Sequence, residues 1–82
     1  MRVSCDVNDR GYKNYFDAQK NGKKIVITLD GKVVKHCTVA DEEMGFIVQL
    51  VMDENDNIQI DPIDQDKVWT ERVYGDVEVK FE

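Results

Sequence analysis

Residues 53–66 carry the side chains best suited to chemistry: Asp53, Glu54, Asp56, Asp61, Asp64 and Asp66 are six acids with no base among them. Closely spaced carboxylate and amide oxygens are the ligands a hard divalent cation takes. Laid on the calcium-loop template, the segment offers Asp53, Asn55, Asn57, Asp61 and Asp64 at the ligand positions, with Ile60 at the aliphatic one. The position that calls for glycine holds Ile58, a β-branched residue that resists the sharp turn. Asp64 has a shorter arm than the glutamate that closes such a loop, Pro62 stiffens the exit, and the preceding residues read as strand rather than helix. The segment thus departs from an EF-hand. Two readings remain: a looser calcium site on a β-hairpin loop, or an acidic turn that stays wet.

Nucleophilic catalysis requires a thiol or hydroxyl beside a base. The only histidine is His36, and its neighbour Cys37 points to the opposite face of the same strand. Nothing local brings Cys5 to His36. Paired carboxylates for acid–base work are plentiful, but they fall in loops and on polar strand positions, away from any apolar pocket that would split their pKa values. No glycine-rich phosphate loop, zinc-type cysteine spacing or aromatic nucleic-acid motif occurs, so no cofactor is implied. The expectation is a protein that is not an enzyme.

The chain has 82 residues and a net charge of −6, distributed unevenly. Residues 1–39 hold eight Lys/Arg against four Asp, whereas residues 40–82 hold three Lys/Arg against thirteen Asp/Glu. That balance argues against sequence-independent nucleic-acid binding, which needs concentrated basic surface. Lys20, Lys23, Lys24, Lys32 and Lys35 read as solvent-facing positions, with a local basic strip as the alternative. No apolar run approaches the length of a membrane span, and the first residues lack the apolar centre of a secretory signal. A cytoplasmic protein follows as the expectation, with Cys5 and Cys37 as reduced packing residues.

The elements that position these groups are mostly strands. Ile25, Ile27 and Leu29 alternate with Val26 and Thr28 before Asp30-Gly31, a tight-turn pair, so residues 24–29 and 32–39 should pair antiparallel. In that register His36 lies across from Ile25 as a structural histidine. Residues 46–52 are apolar on both faces: Phe46, Val48, Leu50 and Met52 on one, Ile47 and Val51 on the other. Residues 57–60 could add a short strand, and Asp41 to Glu43 could open a single helical turn.

From Trp69 the odd positions run Trp69, Glu71, Val73, Gly75, Val77, Val79 and Phe81, and the alternation passes through Gly75 without slipping. This predicts one long strand bent at Gly75, a corner of a barrel or sandwich, with Trp69 as a core anchor. Tyr12, Tyr15, Phe16 and Gln19 stand at i, i+3, i+4 and i+7 before Asn21-Gly22, which predicts a short helix over residues 12–20 or an irregular arm. Its aromatics are expected to cover the second face of residues 46–52.

Together, Ile27-Thr28-Leu29-Asp30-Gly31, the run from Cys37 to Phe46, Val51-Met52-Asp53-Glu54-Asn55 and Tyr74-Gly75-Asp76-Val77-Glu78-Val79 resemble a group of small proteins encoded by tailed bacteriophages and prophages. Cys5-Asp6-Val7-Asn8-Asp9-Arg10-Gly11-Tyr12 is similar to the start of such proteins. The resemblance implies a genomic setting and no assigned site residues.

The fold expected over residues 1–82 is a single domain: a mainly β, small antiparallel sheet protein of five or six strands, a partial barrel or sandwich. Residues 1–22 form its N-terminal arm or short helix. The expected function is a phage or prophage accessory role through protein–protein contacts, with self-association through residues 46–52 as the simplest form. The alternatives are a calcium-binding module on the acidic loop and an acidic nucleic-acid mimic.

Overall fold

Alternating apolar residues bury one strand face, and the shared need to bury it drives two short sheets together. The computed structural model describes residues 1–82. In chain order it comprises β1 (Arg2–Ser4), α1 (Tyr12–Lys20), β2 (Ile25–Leu29), β3 (Lys32–Val33), β4 (Cys37–Asp41), β5 (Phe46–Leu50), β6 (Thr70–Tyr74) and β7 (Val77–Phe81). One antiparallel sheet has the order β1-β4-β5-β6 and the other β3-β2-β7. The expected mainly β architecture with a short helix is present, with seven strands rather than five or six. No helix is long and apolar enough to cross a membrane.

The turn at Asp30-Gly31 is as expected. Leu29 pairs with Lys32, and the two turn residues have φ of 52° and 83°, the positive pair a two-residue hairpin demands. The hairpin is shorter than the sequence suggests. After Val34 donates its N–H to the Ile27 carbonyl, the chain leaves β2, and His36 at φ 58° turns it into the other sheet. Residues 32–39 are therefore two strands. Ile25 faces Phe81 across the ladder, and His36 is an exposed pivot rather than its structural partner.

Gly75 is the corner that the alternation predicts. β6 pairs with β5 and β7 with β2, so the strand changes sheets at Gly75 and Asp76. A Cβ on Gly75 would stand 2.8 Å from Leu29 Cδ1 and 2.9 Å from Asp30 Oδ2. The close approach, not a special φ, calls for glycine. Asp30 Oδ1 accepts the Asp76 N–H at 2.9 Å and clamps the corner.

Register explains the core. Val3, Ala40, Ile47 and Val73 lie side by side across β1, β4, β5 and β6, facing Ile25, Ile27, Leu29, Val77 and Val79 of the second sheet. Ile47 and Ala40 are wholly buried. The adjacent row, Arg2, Asp41, Phe46 and Tyr74, lies on the outer face. Phe46 is nonetheless buried there, beneath the guanidiniums of Arg72 (4.4 Å to the ring centroid) and Arg2 (5.4 Å) and beside the Tyr74 ring. Arginines, not the helix aromatics, cover the second face of β5.

Helix α1 has its expected bounds and ends where Asn21 returns its backbone and side-chain N–H groups to the Asp17 carbonyl. It rests on β1, burying Ala18. Tyr12 stacks with Tyr15 and Phe16 at about 6 Å, and Phe16 is half exposed. β1 itself was not expected, because three residues carry no legible period. The connection between β4 and β5 is a single turn of the helical type, as Asp41 to Glu43 suggest: the Gly45 N–H closes it on the Asp41 carbonyl at 3.0 Å, and Gly45 at φ 70° ends it.

The corner geometry has a measurable consequence. Gly75→Ala should lower unfolding free energy by about 1–3 kcal/mol through overpacking against Leu29 and loss of the Asp30–Asp76 clamp, read by urea unfolding. An unchanged midpoint would show that the corner has room to spare.

Candidate functional site

Between β5 and β6 the chain makes a long excursion, residues 51–69, built with little core. Val51 donates to the Trp69 carbonyl, Gln59 to Val51, and Trp69 to Gln59, a three-way backbone junction with N···O distances of 2.9, 3.1 and 2.7 Å. Isolated bridges pair Met52 with Ile58 and Ile60 with Val68. Residues 57–60 thus form bridges rather than a full strand. The radius of gyration is 13.0 Å, above the roughly 12 Å expected of a compact chain of this length, as a projecting excursion requires.

Its two turns are each organised by one aspartate. Asp53 Oδ1 accepts the N–H groups of Asn55 (2.8 Å) and Asn57 (2.9 Å), while Oδ2 accepts the Asn57 side-chain amide at 3.3 Å. Asp61 Oδ1 accepts from Ile63 (2.8 Å) and Asp64 (3.1 Å). These are Asx-type turns, in which a short acid replaces missing backbone partners. The N–H donors, Asn57 foremost for Asp53 and Ile63 foremost for Asp61, hold both carboxyls below the usual range.

The five proposed cation ligands are therefore divided. Asp53, Asn55 and Asn57 belong to the first turn, and Asp61 and Asp64 to the second. Asn57 presents its amide N–H, not its oxygen, to Asp53. No group of three or more His, Cys, Asp or Glu side chains is arranged to hold a metal ion. The acids serve their own turns.

The same excursion exposes apolar side chains in an unusual number. Ile63 is 95% exposed, Ile60 55%, Ile58 51%, Val68 45% and Trp69 40%. Trp69, expected in the core, stands at the surface because the strand of β6 starts one residue later and the junction needs only its backbone. The signal in the sequence was present: apolar residues interleaved with six acids and no core to receive them.

Two other groups of titratable residues compete for attention. His36, Asp56 and Glu71 rim a shallow depression that no cysteine or serine lines. Cys5 and Cys37 line a separate cleft that no histidine lines. Cys–His chemistry thus has no shared site. Burial pushes the Cys37 thiol up to about 11, and its S–H donates to the Val39 carbonyl, as suits a packing residue.

The third group centres on the buried Asp41. Arg2 forms a bidentate pair with Asp9 (Nε–Oδ1 2.9 Å, Nη2–Oδ2 2.7 Å) and reaches Asp41 Oδ2 at 3.2 Å, which Arg10 also contacts at 3.2 Å. The Asp41 side chain is 2% exposed, and its Oδ1 takes the Met44 N–H at 2.9 Å. The Arg2 bond holds Asp9 down at about 2. Burial pushes Asp41 up, but the Met44 N–H and Arg2 outweigh it and keep it below the usual range. Neither acid lines either of these two clefts, and their bonds to Arg2 make the network a structural pin.

Both carboxyls are depressed on folding, so their stabilisation is present above an ordinary aspartate pKa near 4 and is lost as pH falls below it, for Asp9 through about 2. Arg2→Met should cost about 3 kcal/mol at pH 7, because Asp41 loses a buried partner. The difference from the parent should shrink over the same pH window, measured by urea unfolding at pH 7 and pH 3. A deficit independent of pH would show that Arg2 acts through packing alone. No family model, no curated protein and no solved structure matches the chain.

Proposed function

We propose that this is a non-catalytic protein-contact module whose working surface is the excursion at residues 51–69. The observation that carries the reading is the exposure of Ile63, Ile60, Ile58, Val68 and Trp69 within a segment of six acids and one lysine. Ile63 has about 1.5–3 kcal/mol to gain from burial and the half-exposed Ile58 and Ile60 roughly half of that each, and apolar anchors ringed by charge are how protein interfaces concentrate affinity. The complementary partner is a basic protein surface with an apolar pocket. The acids would steer its approach and the isoleucines would hold it.

The exposed isoleucines favour a protein contact over acidic mimicry of a nucleic acid, which would use carboxylates alone. They also move the contact away from residues 46–52. β5 is paired on both edges, with Ile47 in the core and Phe46 under arginines, so it offers less apolar surface than the excursion does. The resemblance to proteins of tailed phages and prophages supplies a setting: an accessory role in virion assembly or in the host cell.

Ile60→Ser/Ile63→Ser should leave folding intact, since both side chains are exposed. In a pull-down from bacterial lysate, the parent should retain specific basic proteins that are lost with the double variant and weakened at about 0.5 M salt. Identical captures by parent and variant would overturn the reading.

A further inference from the structure

Helix α1, β1, β2 and the start of β4 line a cleft of about 270 Å³. Val3, Tyr15, Ile25 and Ile27 give it apolar walls, and Lys24 is the one charged residue that lines it. Although the chain carries a net charge of −6, no carboxylate side chain lines this cleft. Lys24 joins none of the seven ion pairs of the fold, and its backbone is held firmly, exchanging both N–H···O bonds with Glu82 at 2.7 Å. Its neighbour Lys23 donates to the Ala18 carbonyl at 2.8 Å, so the turn from α1 into β2 is a built rim. A lysine outside every ion pair, on a cleft whose lining is mostly apolar with Ser4, Gln19 and Thr38 as its neutral polar residues, is complementary to a molecule with an apolar body and one negative end.

We propose that this cleft binds a small apolar carboxylate, with the hydrocarbon between α1 and β2 and the carboxylate at Lys24. The volume equals that of about nine water molecules, which suits a medium-chain fatty acid such as octanoate and excludes a two-tailed lipid. The site is independent of the 51–69 surface, and occupancy would stiffen α1 against β1 rather than alter the excursion.

Amide chemical shifts followed during titration with sodium octanoate, 1-octanol and sodium acetate test the assignment. Octanoate should give saturable shifts at Val3, Cys5, Gln19, Ile25, Ile27 and Thr38, octanol weaker ones at the same residues, and acetate none. Lys24→Gln, an exposed substitution that should not disturb folding, should weaken octanoate about tenfold and leave octanol unchanged. Filling the cleft by Ile27→Phe should abolish both, and bound octanoate should slow alkylation of the exposed Cys5. Unsaturable shifts, shifts confined to residues 51–69, or equal octanoate affinity in Lys24→Gln would overturn the proposal.

Discussion

Arg2 is the residue on which the outer face of the larger sheet depends. Its backbone pairs with Asp41 at the sheet edge, its guanidinium is forked onto Asp9 and touches Asp41, and it lies over the Phe46 ring. One side chain thus ties the loop before α1, the edge strand β1 and the central strand β5 into a single layer. Burying charge in so small a fold is tolerable only when the buried polar atoms are partnered, and no buried side-chain nitrogen or oxygen lacks a partner. The arrangement also resolves a conflict in β5, whose residues are apolar on both faces. A second hydrophobic layer would need more chain than 82 residues supply, and two guanidiniums with long methylene stems cover Phe46 instead.

A limited core has consequences elsewhere. Only six apolar residues are buried, and a domain of this length retains roughly 4–12 kcal/mol of stability. The acidic excursion draws little from that reserve, because Asp53 and Asp61 close its turns locally and the Val51–Gln59–Trp69 junction anchors its base. It can therefore present isoleucines to solvent without loosening the sheets. The cost falls on solubility, which six carboxylates in the same segment offset. Acid and apolar surface are coupled here by necessity.

Local signals were legible and long-range ones were not. Asp30-Gly31 announces its turn because the required φ values belong to those residue types, and α1 follows from a period and a stop signal within nine residues. Gly75 is legible because alternation continues through it. His36 and Trp69 were misplaced for a common reason: each was assigned by extending a strand whose end is set by a partner elsewhere in the chain. In the acidic segment the carboxylates are legible from composition, but the hydrogen bonds by which Asp53 and Asp61 close its turns, and the exposure of the neighbouring isoleucines, are visible only in the fold.

The sequence by itself determined the strand faces, the two-residue hairpin, the corner at Gly75 and the segregation of acid from base, since these rest on side-chain alternation, turn chemistry and composition. Only the tertiary structure decided which strands share a sheet, that Arg2 reaches Asp41 across thirty-nine residues, and which apolar side chains remain outside. Those outcomes depend on competition for one small interior. Residues 51–69 lost that competition, and their isoleucines face water because the core was already filled by Val3, Ala40, Ile47 and Val77.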